Sequence, residues 1–253
     1  MKRIVLGALV SFACLGLGCS SSGVVGRAPG GAEVIQIPLR LSNVHLVRTR
    51  TPVLIDSGTV GDMDDLRKAL ADYGIGARSI RLVVLTHGHA DHGGLAADLS
   101  RSFGAKIMLG AGDVPLARAG HNDELHPTSL MARLLKPFIT DVYPDFVPDI
   151  TVETPVDLSP WGIDGKAIAM PGHTPGSVVV VMSDHSAFVG DMMMGGSFGG
   201  ALFPSSPAEH YYQGDRAQNR RNIHTLLGMG IEKFYLGHGG PVARADVLEA
   251  FPP

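Results

Sequence analysis

Four side chains able to bind a metal ion fall within six positions of this chain. They are His87, His89, Asp91 and His92, in the stretch Thr86-His87-Gly88-His89-Ala90-Asp91-His92-Gly93-Gly94. Imidazole nitrogen and carboxylate oxygen together suit zinc, iron or manganese. His87 and His89 are two residues apart, so on extended backbone they project to the same side. Asp91 and His92 come after a turn and can point elsewhere, which suggests two metals side by side. Both cysteines, Cys14 and Cys19, lie at the start of the chain. The body therefore offers no thiolate and no disulfide, and its metal ligands must be His, Asp or Glu.

The elements that hold these residues follow from hydrophobic patterning. The apolar run 81–85 reads as a buried strand, so the cluster sits where a strand ends. Three more ligand-type residues share that setting. His173 follows the predicted strand 166–170, Asp191 follows 187–189, and His238 follows 233–236. Each stands beside glycine, which permits the tight or positive-φ backbone such placement needs. Strand ends converging on one edge are how open α/β sheets build sites. Further strands are expected at 33–39, 44–47, 52–55, 105–109 and 177–182. Helices are expected at 62–73, 95–103, 129–138, 208–227 with a break near Gly214, and 244–251. The first half alternates strand and helix, the α/β pattern. No linker separates the halves, so 33–253 is expected to be a single domain. The proline-interrupted stretch 113–161 reads as a cap or insertion over a site.

Thr86 to Gly94 resembles the signature of the metallo-β-lactamase superfamily. His173 in Gly-His-Thr-Pro-Gly, Asp191 in Gly-Asp and His238 in Gly-His-Gly match its later motifs, and Leu54-Ile55-Asp56-Ser57-Gly58 looks like its early aspartate motif. The resemblance implies a four-layer αββα sandwich with the site along one edge. It implies that His87, His89 and His173 hold a first metal, and that Asp91, His92 and His238 hold a second. Asp191 would bridge them, and Asp56 would buttress the His/Asp loop or cap the turn before the helix at 62–73. Two Zn²⁺ per chain are expected, with iron or manganese as alternatives.

A divalent metal lowers the pKa of bound water from 15.7 to about 7, so the reaction class is hydrolysis by a metal-bound hydroxide, with Asp91 orienting the nucleophile and passing on its proton. The β-lactamases of the superfamily generally carry Cys or Ser where this chain has Asp191. Aspartate there looks like the thioesterase (glyoxalase II-like), lactonase and phosphodiesterase branches. The lactonase branch commonly has tyrosine three residues after that aspartate, where this chain has Met194. His210, Tyr211 or Tyr212 would have to supply an equivalent polar donor. The run Met192-Met193-Met194, with Phe198 and the glycines around it, reads as a mobile apolar rim. Together with Trp161 it suggests a moderately hydrophobic ester, lactone or thioester. β-Lactam hydrolysis and a mononuclear iron persulfide dioxygenase are the alternatives.

The net charge is −3 over 253 residues, with no basic block. This argues for a small-molecule substrate and against nucleic acid. Lys2 and Arg3 precede an apolar stretch too short to span a membrane, followed by Gly16-Leu17-Gly18-Cys19. Residues 1–18 resemble a bacterial lipoprotein signal, with Cys19 lipidated and 19–32 a flexible tether. The expected location is the periplasmic face of a membrane in the cell envelope, or alternatively the soluble periplasm or the medium.

Overall fold

The structure, a computed structural model, describes residues 22–253, so the signal-type segment and Cys19 lie outside the described residues. One sheet runs in chain order: β1 (Gly23–Arg27), β2 (Glu33–Pro38), β3 (Asn43–Arg48), β4 (Val53–Ile55), β5 (Leu82–Val84), β6 (Lys106–Gly110) and β7 (Ile150–Val152). Its first four strands pair antiparallel and β4 to β7 pair parallel. The second half supplies β8 (Val156–Asp157), β9 (Gly165–Ala169), β10 (Val178–Met182) and β11 (Ser186–Gly190). A separate hairpin, β12 (Met194–Ser197) and β13 (Leu202–Ala208), precedes β14 (Lys233–Leu236) and β15 (Val242–Ala243). Apart from the hairpin these form a second sheet, ordered β15-β14-β11-β10-β9-β8, in which β11 and β14 are parallel. The helices are α1 (Met63–Asp72), α2 (Ala90–Gly93), α3 (Ala96–Phe103), α4 (Val114–Ala119), α5 (Leu130–Leu135), α6 (Arg216–Gly228) and α7 (Arg244–Ala250).

Alternation along the strands makes the four layers. Successive side chains of a strand face opposite sides. Val53, Ile55, Leu82, Val84 and Met108 point inward to meet Val178, Val180, Phe188 and Tyr235 of the other sheet. Their neighbours Leu54, Val83, Ile107 and Leu109 point outward, under Leu66 and Leu70 of α1 and Leu99 of α3. On the far side Val179, Ala187, Val189, Phe234 and Leu236 pack beneath Ile223 and Leu226 of α6 and Val247 of α7. Strands buried on both faces explain why the sequence shows short continuous apolar runs rather than alternation with polar residues.

Several expectations need correction. The part of the expected tether that is described is not flexible linker, because Gly23–Arg27 is a strand paired with β2. Val25 packs against the inter-sheet core and its carbonyl accepts from the Lys233 ammonium. The glycine and serine around it masked an edge strand. The helix expected from 208 begins only at Arg216, where the Asp215 carboxylate accepts from the Gln218 amide at 2.8 Å. Residues 209–215 form instead a connection beside the site. The end of the 113–161 segment belongs to the sheets, as β7 and β8, so the part free to act as a cap is α4, α5 and their loops. Met192 and Met193 are core residues beneath α6, Met194 is buried, and Trp161 packs on the inter-sheet core. The methionine run is therefore not the rim. All three side chains are buried, and the exposed apolar residues Phe198, Leu202 and Phe203 come later in the hairpin.

His45 on β3 lies inside the sandwich, with its ring centroid 5.3 Å from that of Phe188 and 5.7 Å from that of Tyr235. Its Nε2 is buried without a hydrogen-bond partner, and burial, with the charge near His92, lowers its pKa from 6.5 to about 3. Above the unfolded value both states are neutral. Below it the unfolded chain takes up a proton that the folded chain refuses, so stability falls as pH falls towards 3. This group contributes a slope of up to about 1.4 kcal/mol per pH unit. His45→Phe should flatten the dependence by that amount in urea denaturation between about pH 7 and about pH 5. Identical slopes for the two proteins would refute the assignment.

Candidate metal centre

The parallel strands β4, β5 and β6 end along one edge, and each ending carries an acid or the His/Asp loop. After β4, Asp56 adopts a left-handed backbone with φ 65°. Its carboxylate accepts from the Thr86 amide at 2.7 Å and the Thr86 hydroxyl at 2.9 Å, and meets His92 Nδ1 at 2.9 Å. α1 is preceded by Asp62, so Asp56 does not cap it. Asp56 instead fixes how the loop leaves β5 and which nitrogen His92 turns inward. Ser57 adds a second tie, its hydroxyl donating to the His92 carbonyl at 2.6 Å.

After β6 comes Asp113, fully buried, which connects the two motif loops. It accepts from the Gly88 amide at 2.8 Å, the Gly176 amide at 2.7 Å and the Thr174 hydroxyl at 2.6 Å. Burial raises its pKa, opposed by those three hydrogen bonds. Asn122 accepts from the Ala90 amide at 2.7 Å, Asp123 meets His89 Nε2 at 2.7 Å, and the Tyr143 hydroxyl donates to the Gly88 carbonyl at 2.6 Å. The segment expected to cap the site thus grips the loop from behind. Sequence reading missed Asp113, Asn122 and Asp123. The strand-end rule that found the other acids would have found Asp113, three residues past β6.

The second sheet brings the remaining side chains. Gly190 turns the chain after β11 with φ 53°, and a Cβ there would stand 2.4 Å from the Thr86 hydroxyl. Asp191 then points between the sheets, its backbone carbonyl held by Gln213 Nε2 at 3.1 Å. Gly237, after β14, lies so close that a Cβ would fall 2.2 Å from Asp191 Oδ1. Asn43 holds the His238 turn through the carbonyls of Leu236 at 3.0 Å and Gly239 at 2.7 Å.

All seven predicted ligand positions meet at one centre. The donor atoms of His87, His89 and His173 form one group, and those of Asp91, His92, Asp191 and His238 another, each with donors within 4.8 Å of one another. Asp191 touches both. Its Oδ2 lies 3.9 Å from His87 Nε2, 3.8 Å from His173 Nε2 and 3.2 Å from His238 Nε2, and its Oδ1 lies 3.4 Å from His92 Nε2. His87 Nε2, His92 Nε2 and Asp191 Oδ1 are buried with no hydrogen-bond partner. Donors of one centre left unsatisfied at these separations fit a pair of divalent cations.

Of the residues expected to bind substrate, His210 lies in the centre, with Nε2 3.2 Å from Asp191 Oδ2. Tyr211 stands at its edge, its hydroxyl accepting from the Phe198 amide at 3.1 Å. Phe198 is half exposed, in the turn of the hairpin, while Met194 is buried at its base. The hairpin sits on the His238 turn, the Gly195 amide donating to the His238 carbonyl at 2.8 Å.

Charge at the centre is balanced between acids and imidazoles. Burial opposes ionisation of Asp191, but His238, His210 and His92 hold its carboxyl well below the usual range. Burial likewise opposes the charge on His92 and His238. Asp191 and Asp56 raise His92 well above its ordinary value, and Asp191 and Asp91 raise His238 to about 10. Burial and neighbouring imidazoles push His87 and His173 well down. A cation taking the nitrogens of His92 and His238 must displace protons, so its binding is coupled to pH.

A family model described as the metallo-beta-lactamase superfamily matches residues 37–238, which take in most strands of both sheets and every residue of the centre. The chain belongs to the metallo-beta-lactamase superfamily. Among curated members of known sequence, a probable metallo-hydrolase of Methanocaldococcus jannaschii is 28% identical over 202 residues, covering 78% of this chain and 87% of that protein. The hydroxyacylglutathione hydrolase GloC of Haemophilus influenzae is 24% identical over 181 residues, covering 70% of this chain and 78% of that protein. Among solved structures, TTHA1623 in a di-iron-bound form superposes with a TM-score of 0.61 at 24% identity, covering 91% of this chain and 98% of that one. At that identity the likeness speaks for the fold. Superfamily membership and the His/Asp clusters together make this chain a metallo-hydrolase-type protein with a binuclear metal site.

Proposed function

We propose that this protein is a zinc-dependent hydrolase of an ester, lactone or thioester with an apolar acyl portion. The observation that carries the reading is Asp191, a buried carboxylate that touches both ligand groups. The thioesterase and lactonase branches that share that aspartate act on thiol and carboxylic esters, the phosphodiesterase branch is disfavoured by the net charge of −3, and GloC, named a hydroxyacylglutathione hydrolase, lies among the relatives. A cation pair here would bring the pKa of a bound water to about 7 and polarise the substrate carbonyl.

The chain's own groups supply the rest. Asp91 is the acid of the cluster with access to solvent, its side chain 24% exposed and its Oδ2 3.3 Å from His238 Nε2. It accepts the proton of the attacking water as the new C–O bond forms. It returns that proton to the alkoxide or thiolate as the bond to the leaving group breaks. Exposed Phe198, Leu202 and Phe203 on the hairpin and Leu130, Leu134 and Phe138 around α5 give apolar surfaces suited to an acyl group. Tyr212, in the connection that follows the hairpin, is tied to α5, its hydroxyl donating to the Ala132 carbonyl at 2.9 Å.

The test is a panel of esters, lactones, thioesters and β-lactams assayed with zinc-reconstituted protein, alongside metal analysis. Turnover of β-lactams alone, or a single iron with oxygen consumption on a persulfide, would sink the reading. Asp91→Asn should lower kcat by about a hundredfold or more with metal retained, the scale of general acid–base catalysis. A near wild-type rate would remove the proton-transfer role from Asp91.

The leader supports a location at the periplasmic face of a membrane, with lipid on Cys19. Labelled fatty acid incorporated by the wild type and lost in Cys19→Ala is the expected result. Equal labelling of both, or of neither, refutes it.

A further inference from the structure

We infer that His210 is an eighth ligand of the centre, an imidazole beyond the seven motif positions, supplied by the connection between β13 and α6. The inference rests on the metal reading above and adds to it. His210 is as buried as His238, at 8% exposure, and the two rings stack with centroids 5.3 Å apart and planes 27° apart. Each presents Nε2 to the same oxygen, Asp191 Oδ2, at 3.2 Å. Neighbouring ligands about 2.0–2.1 Å from a four- or five-coordinate cation stand roughly 2.9–3.3 Å from one another, so 3.2 Å is a separation that donors of a common ion take. The donor atoms of His173, Asp191 and His210 lie within 4.8 Å of one another.

The orientation of the ring is set from behind. The Tyr212 carbonyl faces His173 Nδ1 at 2.9 Å and His210 Nδ1 at 3.1 Å. A carbonyl has two lone pairs, so it can accept from both. An Nδ1–H donated to a backbone carbonyl leaves Nε2 as a lone pair, the arrangement that metal-ligating histidines favour. One carbonyl therefore gives His210 the tautomer it gives His173. The opposing contact, the Tyr212 amide 3.3 Å from the same Nδ1, would require the reverse tautomer and make Nε2 a donor. It is the longer of the two.

The backbone that carries His210 is anchored at both ends of the turn. The Thr128 hydroxyl donates to the His210 carbonyl at 2.9 Å, the Gln213 amide to the His126 carbonyl at 3.0 Å, and the Gly214 amide to the His173 carbonyl at 3.1 Å. The imidazole is thus delivered to a fixed place beside Asp191. His210 falls inside the helix expected over 208–227 and matches no motif, so the sequence offers it only as a polar donor in place of the tyrosine absent at Met194.

Full-length protein carrying ¹⁵N-labelled histidine and loaded with ¹¹³Cd should show scalar coupling from the metal to His210 Nε2, as to His238 Nε2. Its Nδ1 proton should exchange slowly. Coupling at His238 with none at His210, and a proton on His210 Nε2, overturns the assignment while leaving the metal reading intact. No bound cadmium and no bound zinc at all would defeat both. In chelator competition, His210→Ala should weaken retention of one of the two cations by about tenfold or more and change the visible spectrum of the cobalt(II) form. Unaltered affinity and spectrum overturn the proposal. Should the variant misfold, the coupling measured on the wild type still decides it.

Discussion

Asp191→Ala should reduce hydrolysis by about a thousandfold or more, a loss of roughly 4 kcal/mol of transition-state stabilisation, and should leave the chain unable to hold a cation pair. The aspartate is the one carboxylate whose two oxygens face imidazoles from both ligand groups. Alanine removes a donor from each group and also the negative charge that keeps several buried imidazoles compatible. Asp191 is the largest of the acidic influences that raise His92 and His238, so without it both hold a proton less firmly, with Asp91 and, for His92, Asp56 left as their acidic neighbours. Metal analysis after gel filtration, with steady-state rates on the best ester or thioester, tests this. Retention of both metals with a rate within about tenfold of wild type would show that Asp191 does not bridge.

Asp113→Ala should destabilise the fold by roughly 3 kcal/mol, since three buried donors each lose a partner worth about 1 kcal/mol or more. The cost falls on a fully buried side chain and strikes both motif loops together. Gly88 lies between two histidines of the first group, and Gly176 follows the third by three residues. Asp113→Asn should not restore the protein, because its amide nitrogen would confront either the Gly176 amide or the Gly88 amide and Thr174 hydroxyl. Denaturant midpoints of metal-free protein measure the first effect and chelator competition the second. If Asn matches wild type in both, the carboxylate is not the clamp described here.

The fold was readable because the apolar runs were short and bounded by turn residues, and five of them were followed by a ligand-type residue close to glycine or in the His/Asp loop. Three strand ends in the second half could be matched to the first half without any structure. What escaped was governed by contacts between distant segments. Val24 and Val25 look like part of a linker until β2 is beside them. The methionines after Asp191 look like a flexible rim, because nothing local says that α6 covers Met192 and Met193. Asp113, Asn122 and Asp123 sit in a stretch broken by prolines, and their purpose is evident only from the backbone amides and the imidazole they meet. His210 carries no motif; its role depends on a carbonyl two residues away being aimed at His173 as well.

Because the first sheet supplies His87, His89, Asp91 and His92, and the second supplies His173, Asp191 and His238, a bound cation draws on both faces of the sandwich at once. The unfolded chain cannot present that set, so occupancy and sheet docking are thermodynamically linked. With free cation at a thousand times its Kd the folded state should gain about 4.1 kcal/mol, and the denaturation midpoint should climb with metal concentration. The centre would then act as a reversible rivet between two sheets whose sequence lacks any disulfide to fasten them, and scarcity of metal would be felt as loss of structure as well as loss of activity.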